Sequence, residues 1–319
     1  MSRARPVLAL LVMVMGLAAL GSNRGLAPAV AVDLAAGAAL QAAAPVAKAA
    51  VLDEPPMRRT GSREGWAVYR VEEGRVPERL PVGRGFRGEI TWLQDGLVRK
   101  ARVYVPKSAR AAAPLLVSLH GLGSSLRQVE AQQGWSTLAF QQELVVVWGA
   151  GHKGSWNAGP CCGAAAGTVD DLAYLDRLLQ ITGALQGIDR RRVHLAGYSN
   201  GGMLAYRYAC GRPGRIAGVL VVAGTHTAPC TPSRATAVLS VHGAQDPTVP
   251  LDGVGFSREL RSPLPPARRA ARQWARTGAG VRTVVLPRFG HGWPTRENSG
   301  YDATGEGWRF LAAHPEPAG

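Results

Sequence analysis

Gly197-Tyr198-Ser199-Asn200-Gly201 joins an apolar run to an amphipathic one, and no other stretch constrains the fold as tightly. Upstream, Arg192-Val193-His194-Leu195-Ala196 reads as a short buried strand. Downstream, residues 202–209 have helical spacing and no breaker. A serine between a strand end and a helix start must take backbone angles that L-residues avoid. Glycines on either side let neighbouring backbone pass close to it. A strand, G-x-S-x-G and helix in that order form a nucleophile elbow, which lifts a serine hydroxyl above the edge of a sheet.

A serine hydroxyl is a poor nucleophile at neutral pH, so Ser199 requires a base, and the base an orienting acid. With a nucleophile on an elbow these follow in chain order, first an Asp or Glu and then a His, each on a loop after a strand. His291, in Phe289-Gly290-His291-Gly292-Trp293-Pro294, follows the strand expected to end near Leu286, whereas His314 has no strand before it. His291 is therefore the expected base. Asp246, on the turn after the strand at 237–241, is the expected acid, ahead of its neighbour Asp252. His242 reads as a packed strand-end residue, His194 as a core or sheet-face histidine, and His226 as a residue bordering the pocket. For the developing oxyanion, the backbone amides of Asn200 and of Leu122 are the expected donors. Leu122 lies in the Gly-rich loop after the strand at 115–119.

Residues 1–22 read as a secretory signal peptide. Ser2-Arg3-Ala4-Arg5 is basic, 6–20 is apolar but short for a membrane span, and Ala18, Ala19, Gly21 and Ser22 are small. The Ala/Pro-rich segment 23–64 has too few bulky apolar side chains to offset its ordering entropy and is expected to be flexible. The catalytic domain is then 65–319, and the protein is expected to be secreted, extracellular or periplasmic, with no stable membrane anchor. Four cysteines in an exported chain suggest two disulfides. A vicinal Cys161–Cys162 bridge is sterically strained, so each is expected to pair with Cys210 or Cys230. A zinc site is not expected, because no second cysteine pair has ligand spacing. The formal charge is +15, yet only four of the 37 basic residues are lysine and the arginines are scattered in short clusters such as Arg190-Arg191-Arg192 and Arg268-Arg269. This reads first as a coding bias and second as attraction to an acidic polymer. Nucleic acid is not expected, as no basic stripe interleaves with aromatics.

From residue 88 onward, strand-like and helix-like segments alternate. Residues 89–93 and 97–105 flank Asp95-Gly96, the signal of an antiparallel hairpin. Strands are expected at 114–119, 144–148, 216–223, 237–241 and 283–286, and helices at 135–142, 168–185, 266–276 and 305–313. The alternation predicts an α/β fold, a mostly parallel central sheet with helices on both faces.

With these residues assembled, the chain resembles the secreted esterases grouped with polyhydroxybutyrate depolymerases and feruloyl or acetylxylan esterases. The resemblance rests on Gly-Tyr-Ser-Asn-Gly-Gly-Met at 197–203 and on His-Gly-x-x-Asp-x-x-Val-Pro at 242–250. It rests also on Trp-Asn-Ala-Gly-x-Cys-Cys-Gly at 156–163, Val-Asp-Asp at 169–171 and Gly-His-Gly-Trp-Pro at 290–294. It implies an α/β-hydrolase fold, a Ser199–Asp246–His291 mechanism without cofactor or metal, and substrates that are esters of polymers or plant-wall phenolics. A feruloyl or acetylxylan esterase is the expected function, with a short-chain polyhydroxyalkanoate depolymerase as the alternative. A non-catalytic hydrolase-fold or acidic-polymer binding protein stands beside both. The 156–163 loop should lie near Ser199, where Trp156 either stacks on an aromatic acyl group or sugar or packs a disulfide-braced loop. Trp293, beside the base, and His120 are the other expected pocket residues, while Asp170 and Asp171 read as helix-start residues.

Overall fold

The computed structural model describes residues 56–253 and 255–315. The expected signal peptide and the segment 23–55 lie outside the described residues. The segment read as flexible ends earlier than residue 64. Met57–Arg63 (β1) pairs antiparallel with Trp66–Val71 (β2), so the sheet begins inside it. β1 has no apolar run because its side chains are almost all exposed, and it owes its strand form to its partner.

Phe86–Gln94 (β3) and Leu97–Val105 (β4) form the expected hairpin. Ala113–Leu119 (β5), Val145–Gly149 (β6), Ile188–Tyr198 (β7), Gly218–Val222 (β8), Ala237–Gly243 (β9) and Val281–Leu286 (β12) complete a ten-stranded sheet. Its order is β1-β2-β3-β4-β6-β5-β7-β8-β9-β12. From β6 to β12 every neighbour is parallel. Gly255–Ser257 (β10) and Ser262–Leu264 (β11) make a separate short ribbon.

The central strands are buried on both faces, and their side chains alternate between two cores. Leu115, Val117 and Leu119 of β5, Val145 and Val147 of β6, and Val219 and Val221 of β8 point to one face. Asp171–Leu185 (α3), Asn200–Gly211 (α4) and Ala267–Ala275 (α5) cover it. Leu116, Val146, Trp148, Leu220 and Val222 point to the other. There they meet Leu126–Gln133 (α1), Trp135–Gln141 (α2) and Ala303–Ala312 (α6). Continuous burial on both faces is what a parallel sheet between helix layers demands. Sequence reading missed α1, although Ser125 and Gln128 form a capping box at its start and Gly134, at φ 65°, ends it.

Both disulfides differ from expectation. Cys161 is bonded to Cys162 across a cis peptide, their Cα atoms 3.1 Å apart, and Cys210 is bonded to Cys230. The Cα atoms of Cys210 and Cys230 lie 5.4 Å apart, within the ordinary range for a cystine, so those two satisfy one another. The adjacent pair is left to itself and is buried against Met203, whose Sδ is 3.8 Å from each sulfur.

Asp170 caps α3, accepting the amides of Leu172 and Ala173 at 3.0 Å each. Asp171, wholly buried, does more than start the helix. It pairs with the guanidinium of Arg99 on β4 and accepts the Asn157 amide at 2.6 Å, tying the 156–163 loop to the sheet. Arg99 also lies over the Tyr174 ring, 4.3 Å from its centroid. Removing one partner of a buried ion pair leaves a bare charge, which costs about 3–5 kcal/mol. Arg99→Ala should therefore lower the melting temperature, followed by circular dichroism, by about 10 °C; an unchanged melting curve would show that the pair holds nothing together.

Candidate active site

Ser199 sits at the junction of β7 and α4 with φ 52° and ψ −118°, the left-handed backbone that the elbow requires. Its amide donates to the Val222 carbonyl at 2.9 Å, and its carbonyl accepts from Met203 at 3.0 Å. A Cβ at Gly197 would meet the Gly201 backbone, and one at Gly201 would meet the carbonyls of Leu119 and His120. The two flanking glycines are thus the contact surface between elbow, helix and β5 loop.

The structure brings the three expected residues into one hydrogen-bonded chain. His291 Nε2 lies 2.9 Å from Ser199 Oγ, and His291 Nδ1 lies 2.7 Å from Asp246 Oδ2. Gly243 lets the acid loop reach the histidine loop. A Cβ there would strike the carbonyls of Phe289 and Gly290, and Gln245 donates its amide to Phe289 at 3.0 Å. The imidazole is 12% exposed and lies beside the Tyr198 ring, centroids 5.1 Å apart.

The Asp246 carboxylate is fully shielded. Its Oδ1 accepts the amides of Thr248 and Val249, both at 2.8 Å, and His242 Nε2 lies 3.3 Å from Oδ2. Burial alone would raise its pKa, but the hydrogen bonds from His242 and His291, the His291 charge and the Val249 amide outweigh burial. They hold the carboxyl well below the usual range. His242 also donates to the Val249 carbonyl at 2.8 Å, which fixes its Nε2–H tautomer. Sequence reading placed His242 correctly as a packed strand-end residue but missed its bearing on the acid. The signal was available in His-Gly-x-x-Asp, which sets histidine and aspartate on either side of one tight turn.

The two expected oxyanion donors belong to segments that meet at the serine. Asn200 is the first residue of α4, and a Cβ on Gly121 would come 3.5 Å from Ser199 Cβ. Gly123 donates to Gly154 at 2.8 Å and Ser124 to Gly121 at 3.2 Å. Neither the Leu122 nor the Asn200 amide meets a protein acceptor among the described residues. The Asn200 side chain has a second task. Its Oδ1 accepts from the Trp156 amide at 2.7 Å and its Nδ2 donates to the Trp156 carbonyl at 3.0 Å, clamping the 156–163 loop over the elbow.

Of the expected pocket residues, His120 and Trp293 are buried within the fold instead, and Trp156 takes the loop-packing one of its two expected roles. Trp156 is fully buried, its indole N–H donating to the His120 carbonyl at 2.9 Å and its ring packed on Tyr174. It braces the disulfide loop. Trp293 is buried against Trp135 and donates to Thr304 Oγ1 at 3.1 Å. His120 donates from Nδ1 to the Gly121 carbonyl at 2.7 Å and accepts the Gly151 amide at Nε2, 2.9 Å. At the carboxyl edge, half-buried Leu122 packs instead with Cys161, Cys162, Met203, Val249 and Leu260. Cys210, His226 and Cys230 bring metal-ligand atoms together, but their two sulfurs are bonded to each other and unavailable as thiolates.

The fold has relatives of known structure. The native sOPH structure superposes with a TM-score of 0.54 at 18% identity, covering 77% of this chain and 90% of that one. A thermostable esterase gives 0.53 at 16% identity, covering 74% and 64%. The chain has the α/β-hydrolase fold. A phospholipase/carboxylesterase family model matches residues 165–260, a span holding Ser199 and Asp246. In sequence the chain is similar to NocK, a candidate esterase of Nocardia uniformis subsp. tsuyamanensis, at 31% identity over 72% of this chain and 65% of that protein. It is similar also to the bifunctional acetylxylan esterase/xylanase XynS20E of Neocallimastix patriciarum, at 28% identity over 53% and 24%. Feruloyl esterase B of Piromyces equi is 27% identical over 47% and 29%. The chain spans less than two thirds of the length of these curated relatives.

Burial pushes three histidines down and keeps them neutral. His120 falls to about 4, partly opposed by its bond to Gly121. His226 falls to about 4, partly opposed by Gln273. His194 falls to about 3, helped by the Arg192 and His314 charges. Between these values and the ordinary 6.5, the unfolded chain holds more protons than the folded one. Stability is therefore complete above that pH and is lost as pH falls toward 4. Both His194 ring nitrogens lack a partner among the described residues, so His194→Leu should flatten part of this slope. Melting temperatures across that range test the point; a variant slope as steep as the parent's would remove His194 as a source.

Proposed function

We propose that the protein is a serine ester hydrolase acting on polymer-linked or plant-wall esters of the feruloyl and acetylxylan kind. The observation that carries this reading is the unbroken Ser199–His291–Asp246 chain on a strained elbow. Asp246 takes the Nδ1–H of His291, which leaves Nε2 free to accept the Ser199 proton as Oγ attacks the ester carbonyl. The carbonyl oxygen turns anionic between the amides of Asn200 and Leu122, whose N–H groups meet no protein acceptor among the described residues. His291 then protonates the departing alkoxide, and water hydrolyses the acyl-enzyme by the same steps in reverse order.

The substrate class is supported by the names of relatives, which include acetylxylan and feruloyl esterases. Secretion is supported by the expected leader and by two disulfides, bonds that persist in oxidising compartments.

Ser199→Ala should lower hydrolysis of p-nitrophenyl acetate and methyl ferulate by at least about 10³-fold, and Asp246→Asn should lower kcat by about 10⁴-fold through the wrong imidazole tautomer. The parent should turn over methyl ferulate and acetylated xylan faster than a hydroxybutyrate oligomer. The opposite ranking would make it a polyester depolymerase, and equal rates in parent and Ser199→Ala would end the enzymatic reading.

A further inference from the structure

Arginines scattered along the sequence converge on one helix face. On α5, Ala267, Ala270, Ala271 and Trp274 are buried against the sheet, while Arg269, Arg272 and the C-terminal Arg276 are exposed. Their spacing of three and four residues puts all three guanidinium groups in one stripe roughly 10 Å long. The stripe lines an open groove of about 390 Å³ together with Asp252 and Arg268. Arg268 and Asp252 neutralise each other in a two-point pair at 2.7 and 2.9 Å. Arg269, Arg272 and Arg276 make no ion pair among the described residues. Arg272 adds only its field to that of Arg268 in lowering the Asp252 pKa. A second depression of about 250 Å³ shares Arg269 and Gln273 and prolongs the groove toward Thr227. Like charges three and four residues apart work against a helix, so the stripe is a feature that folding alone does not favour.

We propose that this groove binds an acidic polysaccharide, a chain carrying repeated carboxylates such as uronate residues. The stripe is long enough to engage a chain and not merely one small anion. The Arg268–Asp252 pair already displays the forked guanidinium–carboxylate geometry that such a ligand would repeat along the other three. No Phe, Tyr or Trp lines the groove, so it lacks the stacking platform that single-stranded nucleic acid uses. The one bulky apolar residue of α5, Trp274, faces inward, and exposed Ala275 is too small to anchor the helix in a bilayer. The helix start is tied to the acid loop, since Ala267 and Arg268 donate their amides to the carbonyls of Pro250 and Leu251, at 2.9 and 3.1 Å. A bound chain would therefore lie beside the loop that carries Asp246. The site exists independently of whether Ser199 hydrolyses esters, and binding is measured without turnover.

The test uses the full chain carrying Ser199→Ala, with sodium polygalacturonate, neutral xylan, single-stranded DNA and phosphatidylglycerol vesicles as ligands. Polygalacturonate should bind most tightly, weaken as salt rises, and lose about tenfold or more in affinity in an Arg269→Gln/Arg272→Gln/Arg276→Gln variant. Arg272→Glu alone should weaken binding more than Arg272→Gln, and melting curves control for folding. Unchanged affinity in both the triple and the charge-reversed variants would overturn the proposal. Tighter binding of DNA or vesicles than of polygalacturonate would overturn it as well.

Discussion

Ser199 holds a backbone conformation that an L-residue adopts only under constraint, and the surroundings are arranged to impose it. Val222 fixes its amide from the neighbouring strand, Met203 fixes its carbonyl from the first turn of α4, and the flanking glycines let three segments of backbone touch. The reciprocal bonds between Asn200 and Trp156 clamp the next loop onto the same turn. Asp171 and Arg99 anchor that loop to the sheet in turn. The strained residue is thus the centre of a set of contacts that reach from β4 to α4, and each of them narrows the positions that the serine hydroxyl can occupy.

Asp246 is fixed as firmly as Ser199. A carboxylate out of reach of water is costly unless its lone pairs are used, and those of Asp246 face two amides and two imidazoles. The two histidines differ in kind. His291 keeps one nitrogen directed at Ser199 and a small part of its ring in solvent, whereas His242 is enclosed and spends its proton on Val249 and Asp246. One aspartate therefore holds a histidine that faces the serine hydroxyl and another that is enclosed behind it.

Much of this was legible in the residues, for identifiable reasons. The parallel strands could be read because each is buried on both faces and so carries an unbroken apolar run, as in Val145–Gly149. Ser199, Asp246 and His291 could be ordered because the elbow dictates where its partners must fall. β1 could not be read, since Met57–Arg63 carries exposed polar side chains and becomes a strand only beside β2. The pairing of the cysteines depends on how near the end of α4 comes to the loop after β8, and no local pattern records that distance. His120 and Trp293 prove buried, and Trp156 stays open between two roles in the sequence, for a related reason. An aromatic residue next to a catalytic motif has the same letters whether it lines a cleft or supports the wall behind it, and only its burial separates the two.

The outermost strand bears on how copies of this protein meet. β1 ends the sheet with a row of backbone groups turned away from β2, the kind of edge onto which a second molecule can add a strand. Arg58, Arg59 and Arg63 stand along it, exposed, on a strand of only seven residues whose register with β2 slips between Arg59 and Gly61. A strand approaching this edge would meet these guanidinium groups, two of them held by Glu72 and Glu89, across an irregular, short ladder. Among the described residues, the sheet thus ends in an edge whose shortness, irregularity and charge work against the addition of a further strand.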